Sequence, residues 1–322
     1  SDQLMYSGGG ATHSTAYQYW HHRMAARLAR WLGKDPAPYD READAIARTL
    51  RRELWLPDRG WFAEYKDYLG LKLVHPSAAL WSFYHTIDSQ AATPLEAWQM
   101  SRHVDTAFPK IPMRVAGDKD AAFQLPTSNW HPYMWSINNV ALAESAHTSL
   151  GLWQCGRGEV AWPLMKGALL ESMFLGPCPG NVGMTTPSDV FSKERYRDFA
   201  DGAGITARAI VEGLFGIRPD RIAGELLIQP GFPVSWNQAS IRHPELSFAF
   251  KRGDLTESFA VDQRFTKPVA LRLRIPALRD SIRNATVNGA PAKWRVDPDA
   301  VGNPIVEITA TPAASHRVVI EW

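Results

Sequence analysis

The sequence predicts an α+β multidomain chain, with a helical domain over residues 1–216 and an antiparallel β domain over residues 217–322. Two observations predict it. Up to Gly216, apolar residues recur at steps of three and four, the period of helices with a buried face. After Ile217, apolar and polar residues alternate in short runs broken by Gly, Pro and Asn-Gly, the period of half-buried strands. A third observation concerns the helical part alone. Helices with a charged face alternate with helices of small residues, which suggests stacked hairpins of outer and inner helices.

The elements follow in order. Residues 1–13 form a Gly-rich loop entering a helix at Ser14; the G-x-x-x-x-G-K-[ST] pattern of a phosphate-binding loop is absent. The helix Ser14 to Leu32 carries an apolar face of Tyr17, Trp20, Met24, Leu28 and Trp31. The next helix, Asp40 to Leu54, has Asp40 as N-cap and buries Ala43, Ile46, Ala47, Leu50 and Leu54. A turn at Asp58 to Gly60 leads into an extended segment with Glu64 and Asp67 among Trp61, Phe62, Tyr65 and Tyr68. Helices over Ser77 to Tyr84 and Thr93 to Phe108 follow, with His85 and Asp88 in the link between them, then a polar loop over residues 109–127.

The organising stretch is Thr127 to Leu150. It opens as an aromatic-rich loop holding Asn129, Trp130, His131, Pro132, Tyr133 and Trp135. It becomes a helix capped at Ser136, with Asn138 and Asn139 in the first turn and small residues Ala141, Ala143, Ser145, Ala146 and Ser149 beyond. A loop of rings and amides mounted on a packed helix is a common way to build a site. A further helix spans Arg157 to Phe174. The loop Gly176 to Asp198 is too long for a plain connector, and the last helix, Asp201 to Gly216, is again small and apolar. The runs LLIQP, SIRHPELSFAFKRG, LTESFAVDQRF, VALRLRIP, ATVNGAPAKW, IVEITA and HRVVIEW then read as the strands of an antiparallel sandwich.

Composition narrows the function classes. A net charge of +2 with no basic run gives no reason to expect nucleic acid. No run of about 18 apolar residues predicts a membrane span. No charged-then-apolar leader opens the chain. The histidines show no H-E-x-x-H and no clustered Cys/His spacing, so neither a metal nor another cofactor is expected. No G-x-S-x-G or Cys-His signature supports a serine or cysteine nucleophile. Cys155 and Cys178 form either a disulfide or two unrelated thiols. The 13 tryptophans serve packing, and rings beyond that need can stack on the apolar face of a ligand.

Three stretches carry a family resemblance. Trp130, Pro132, Trp135 and Asn138 are similar to the W-x-G-P-x-W-x-x-N pattern of glycoside hydrolase family 63, without its glycine. GLFGIRPDRIAGELLIQPGFPVSW, Gly213 to Trp236, looks like a helix-to-sandwich junction, and ATVNG, Ala285 to Gly289, like the sandwich's hairpin. The whole resembles an α/α toroid of six hairpins followed by a β-sandwich, as in glycoside hydrolase families 63, 65 and 78, and most closely the uncharacterised family called domain of unknown function 4450. The resemblance implies a carbohydrate-active enzyme acting on an oligosaccharide or polysaccharide, and a periplasmic or secreted setting. The sequence supplies about seven helices, roughly half of a closed ring. The missing N-terminal part of the toroid, or a second chain, is therefore an expected partner.

Glycosidic hydrolysis needs two carboxyls, one to protonate the leaving oxygen and one to activate water or attack. The expected catalytic residues are Glu64, in apolar company, with Asp67 as its competitor, and Asp198 or Asp201 as partner, in the inverting arrangement. Glu144 is a further buried carboxylate whose default role is structural. The substrate-binding candidates are Trp61, Trp130, Tyr133 and Trp135 for stacking, and Asn129, His131, Asn138 and Arg197 for hydroxyls. Two alternatives stand beside this: a polysaccharide lyase using Asn129, His131, Tyr133 and Arg197, and a non-catalytic glycan-binding protein.

Overall fold

The structure, a computed structural model, describes residues 9–129, 138–176, 180–182 and 200–322. The chain is of the α+β class. It divides into two compact units, Ser1–Ala209 and Ile210–Trp322.

The first unit opens with β1 (Gly9–Ala11), α1 (Thr12–Trp31) and α2 (Ala37–Leu54). Two small antiparallel pairings follow. β2 (Trp55–Leu56) pairs with β3 (Trp61–Phe62), and β4 (Tyr65–Asp67) pairs with β1 on one side and β5 (Val74–His75) on the other. Next come α3 (Leu80–Asp88), α4 (Pro94–Ala107), the paired β6 (Ile111–Pro112) and β7 (Phe123–Gln124), then α5 (Leu142–Gln154), α6 (Gly158–Leu170) and α7 (Ala200–Arg208). Both α6 and α7 run on into a wider π-type turn, Glu171–Leu175 and Ala209–Leu214.

The helices pack as an alternating series. α1 lies on α3, α3 on α5 and α5 on α7, while α2 packs on α1, α4 on α3 and α6 on α5. Burial differs between the helices. α2 buries only Ala43, Ile46, Leu50 and Leu54, one stripe at steps of three and four. α3 and α5 bury residues on several sides, including Leu80, Trp81, Phe83, Tyr84 and Ile87 on the former. Close approach is bought by small residues. A Cβ on Gly167 of α6 would stand 2.0 Å from the carbonyl oxygen of Phe123, so only glycine fits against β7 there.

Several local expectations are corrected. Residues 9–11 are a strand rather than loop, and the helix starts at Thr12. α2 starts at Ala37, not at Asp40; Pro38 in the first turn has the helical φ built in, and Asp40 instead accepts from Arg23 and Arg30 of α1. α3 begins at Leu80 because Ala79 forms a bridge with Ser128, and the Leu80 N–H donates to the Thr127 carbonyl at 2.8 Å. His85 and Asp88 consequently lie inside α3. α5 begins at Leu142; Asn138, at φ +50°, is a left-handed turn residue, and the Asn139 carbonyl accepts from the Thr127 N–H at 2.8 Å. The apolar face of α1 is the largest departure. Its buried residues include Ala16, Ala26 and Ala29, while Leu28 and Trp31 are 47% and 63% exposed.

The strands of the second unit are β8 (Ile217–Asp220), β9 (Glu225–Ile228), β10 (Gln238–His243), β11 (Leu246–Arg252), β12 (Thr256–Gln263), β13 (Ala270–Pro276), β14 (Asn284–Val287), β15 (Ala290–Pro291), β16 (Lys293–Val296), β17 (Ile305–Ala310) and β18 (Ser315–Glu321). They form two sheets, one in the order β10 to β11 to β12 to β18 to β14 to β15, the other β16 to β17 to β13 to β9 to β8. Alternate residues are buried: Phe248 and Phe250, Phe259 and Val261, Val318 and Ile320 in one sheet, Leu271, Leu273 and Ile275 in the other. This is the period-two pattern read from the sequence. The β14–β15 hairpin turns on Asn288 and Gly289, both at positive φ, as an Asn-Gly turn requires. One pairing departs from the all-antiparallel expectation: β9 and β13 run parallel.

Candidate active site

One face of α3 gathers the chemistry of the first unit. Trp81, Tyr84, His85 and Asp88 stand at i, i+3, i+4 and i+7, so a helix places them together. Each meets polar or aromatic groups from elsewhere in the chain. Trp81 donates its indole N–H to Glu64 Oε1 at 2.7 Å. Glu64 itself is held by its backbone: its N–H donates to the His75 carbonyl at 3.1 Å and its carbonyl accepts from the Thr12 N–H at 3.0 Å. One turn along α3, about 4.5 Å of axis, the Tyr84 hydroxyl donates to Glu144 Oε2 at 2.6 Å. Glu144 sits in the first turn of α5. One turn further on α5, the His147 ring stacks on Tyr84 with centroids 4.1 Å apart.

Asp88 closes the cluster. Arg208 of α7 donates to both carboxylate oxygens, at 2.6 and 2.7 Å. Gln154 of α5 donates at 3.0 Å, and His147 Nε2 lies 3.4 Å away. From α1, Tyr17 meets the His85 ring at 4.6 Å and His13 meets it at 6.1 Å. Among the described residues, Nδ1 of His13 and Nδ1 of His85 are buried without a hydrogen-bond partner.

Burial sets the protonation states. It pushes His85 down to about 3, with the charges of His147 and His13 adding to the shift and Asp88 opposing it. It pushes His13 down to about 4. Tyr84 is raised well above the ordinary phenol, by burial first and then by the Glu144 carboxylate; Tyr17 and Asp201 add smaller pushes. Burial alone would raise Asp88, but the hydrogen bonds from His147, Arg208 and Gln154 outweigh it and hold the carboxyl far below its usual range. The face thus sets two histidines that burial keeps neutral, His13 and His85, beside an ion pair and a phenol-bound carboxylate.

The residues singled out from sequence fall into three groups. Glu64 and Asp201 meet the α3 face, the first through Trp81 and the second electrostatically at Tyr84. Glu64 is 1% exposed. Asp201 is exposed in the first turn of α7, where its Oδ1 accepts from the Gly202 N–H at 2.7 Å. A second group stands elsewhere. Asp67 lies 3.1 Å from His75 Nε2 across the β4–β5 pair. Asn129 is exposed and its amide donates to the Ala107 carbonyl at 3.4 Å, and the Asn138 N–H donates to Ser128 Oγ at 2.9 Å. Trp61, expected to stack on substrate, is 0% exposed and packs on His103, Phe83 and Phe108. The third group, Trp130, His131, Tyr133, Trp135, Arg197 and Asp198, lies outside the described residues, as does Cys178. Cys155 is a free thiol that burial pushes up to about 12.

Tyr84, His147 and Arg208 are the members that sequence reasoning missed. A usable signal existed in the i, i+3 spacing of Glu144 and His147 on a small-residue helix, opposite a helix bearing Tyr84, His85 and Asp88. Among the described residues, no group of three His, Cys, Asp or Glu is arranged to hold a metal, and no helix is long and apolar enough to cross a membrane.

No protein-family model and no curated protein matches the chain. Solved structures do. The α-L-rhamnosidase of Streptomyces avermitilis, complexed with L-rhamnose, matches at 15% identity and a TM-score of 0.52, over 95% of this chain and 26% of that one. The α-L-rhamnosidase from Dictyoglumus thermophilum matches at 10% identity and a TM-score of 0.54, over 92% of this chain and 30% of that one. The chain therefore spans less than a third of the length of either. At this identity the likeness is one of fold.

Proposed function

We propose that this chain is part of a glycoside hydrolase, with a carbohydrate substrate and an active site on the face shared by α1, α3, α5 and α7. The observation that carries the reading is the Tyr84–Glu144 hydrogen bond of 2.6 Å, set among stacked rings at a half-buried position. The fold supports it, since both matched structures are named α-L-rhamnosidases. Glu144 is the carboxylate suited to activating water, because the Tyr84 hydroxyl orients it at a half-buried position that water can reach. Asp201 is the second carboxyl, and Asp198, three residues earlier in the sequence, is tested beside it. We take the mechanism as inverting, which requires the two carboxyls about 6.5–9.5 Å apart.

In the same reading, the alternating helices are part of a six-hairpin ring related to domain of unknown function 4450. The two sheets are its β-sandwich, with the domain change at Gly216 and Ile217. Further helices of the ring come from adjoining polypeptide or a second chain. A polysaccharide lyase using Asn129, His131, Tyr133 and Arg197 is the alternative reading; of these only Asn129 lies among the described residues.

The test uses the longest native polypeptide carrying these residues, incubated with 4-nitrophenyl glycosides, α-L-rhamnosides included, and with oligosaccharides. Products that gain a water, with turnover reduced by about 10²–10⁴ in Glu144→Gln and strongly in Asp201→Asn or Asp198→Asn, bear the reading out. Unsaturated sugar ends, or no product from any substrate, overturn it.

A further inference from the structure

We infer that Asp88 is a positioning residue that sets the gap between Glu144 and Asp201 by fastening α5 and α7 to one point of α3. The inference rests on the hydrolase reading above. Its starting point is the saturation of the Asp88 carboxylate. Oδ1 accepts from Arg208 Nη2 at 2.7 Å and from Gln154 Nε2 at 3.0 Å. Oδ2 accepts from Arg208 Nη1 at 2.6 Å and faces His147 Nε2 at 3.4 Å. Three donors and a facing histidine nitrogen on two oxygens leave Asp88 little capacity to bind a substrate hydroxyl or to move a proton. Its partners, however, sit on the two helices that carry the proposed carboxyls. Arg208 is seven residues, two turns, after Asp201 on α7, and so on the same side of that helix. His147 is one turn after Glu144 on α5.

The geometry gives the clamp a function beyond holding the fold. A bidentate guanidinium pair fixes direction as well as distance, so Arg208 orients α7 about its axis and with it Asp201. Asp88 Oδ2 faces His147 Nε2, the His147 ring lies on Tyr84, and Tyr84 donates to Glu144. One carboxylate therefore orients both members of the pair. In glycoside hydrolysis the separation of the two carboxyls decides whether a water fits between them. Small errors in that separation slow the chemical step and leave ground-state binding intact.

The experiment compares wild type, Asp88→Asn and Asp88→Glu in two ways. Amide hydrogen exchange of residues 200–208 is followed without substrate, with α4 as an internal reference. Asp88→Asn puts an amide donor against the guanidinium; exchange of 200–208 is expected to quicken at least tenfold, with α4 unchanged. Steady-state hydrolysis of the best 4-nitrophenyl glycoside is then expected to lose kcat by about 10–100-fold at nearly constant KM, with Asp88→Glu recovering part of the loss. Unchanged exchange in Asp88→Asn overturns the inference, whether or not any glycoside is cleaved. Quickened exchange with unchanged kcat, or with a loss confined to KM, overturns it as well. A wild type that cleaves nothing sinks the hydrolase reading and the spacing role with it, while quickened exchange then still reports the clamp.

Discussion

Tyr84 donates its hydroxyl to Glu144 across 2.6 Å, joining the middle of α3 to the first turn of α5. The phenol is buried, the carboxylate half-buried, and His147 covers the ring. Removing the hydroxyl keeps the ring packing and deletes one donor to a charged acceptor. Tyr84→Phe is expected to cost about 1 kcal/mol of stability, near the low end for such bonds because Glu144 retains access to water. Chemical denaturation reads the first effect. Under the hydrolase reading the same variant lowers kcat more than it raises KM, because Glu144 loses its orientation.

Glu64 gives a different expectation. Its Oε1 accepts from the Trp81 indole at 2.7 Å in a sealed position. Glutamine at this site still offers a carbonyl oxygen to the indole, whereas alanine leaves a buried N–H without an acceptor. Glu64→Ala is expected to destabilise by about 2–3 kcal/mol from the orphaned donor and the lost packing. Glu64→Gln should fall well below that. Equal losses in both variants, measured by denaturation, would show that the charge rather than the indole acceptor matters.

Acid sensitivity follows from His13 and His85. Unfolded, each ring takes up a proton near 6.5; folded, His13 does so at about 4 and His85 at about 3. The unfolded state therefore binds more protons between those values, and stability falls as pH falls through that window. The slope is at most about 1.4 kcal/mol per pH unit for each ring. Comparing denaturation at pH 7 and pH 5 for wild type and His13→Gln/His85→Gln isolates these two groups. The double variant should lose less stability over the interval than wild type.

The helical periods, the turn at Asn288–Gly289 and the alternation of the strands were legible because each depends on neighbours in sequence. Pairings between distant segments were not. Nothing near Gly9–Ala11 announces that these residues pair with Tyr65–Asp67. The start of α3 is set by Ser128 and Thr127, far along the chain. Asp88 and Arg208 are separated by 120 residues. Glu64 stands among apolar residues in sequence, and in space it is sealed from solvent. The exposed Leu28 and Trp31 show the converse: a helical stripe announces a packing face without naming what packs on it.

Glu144 is proposed to activate the water that hydrolyses a glycoside. The decisive measurement is the mass of the products that wild type and Glu144→Gln form from the same glycosides. The expected result is a water added across the cleaved linkage in wild type, with turnover reduced by about 10²–10⁴ in the variant. Full turnover in a correctly folded Glu144→Gln would rule this role out.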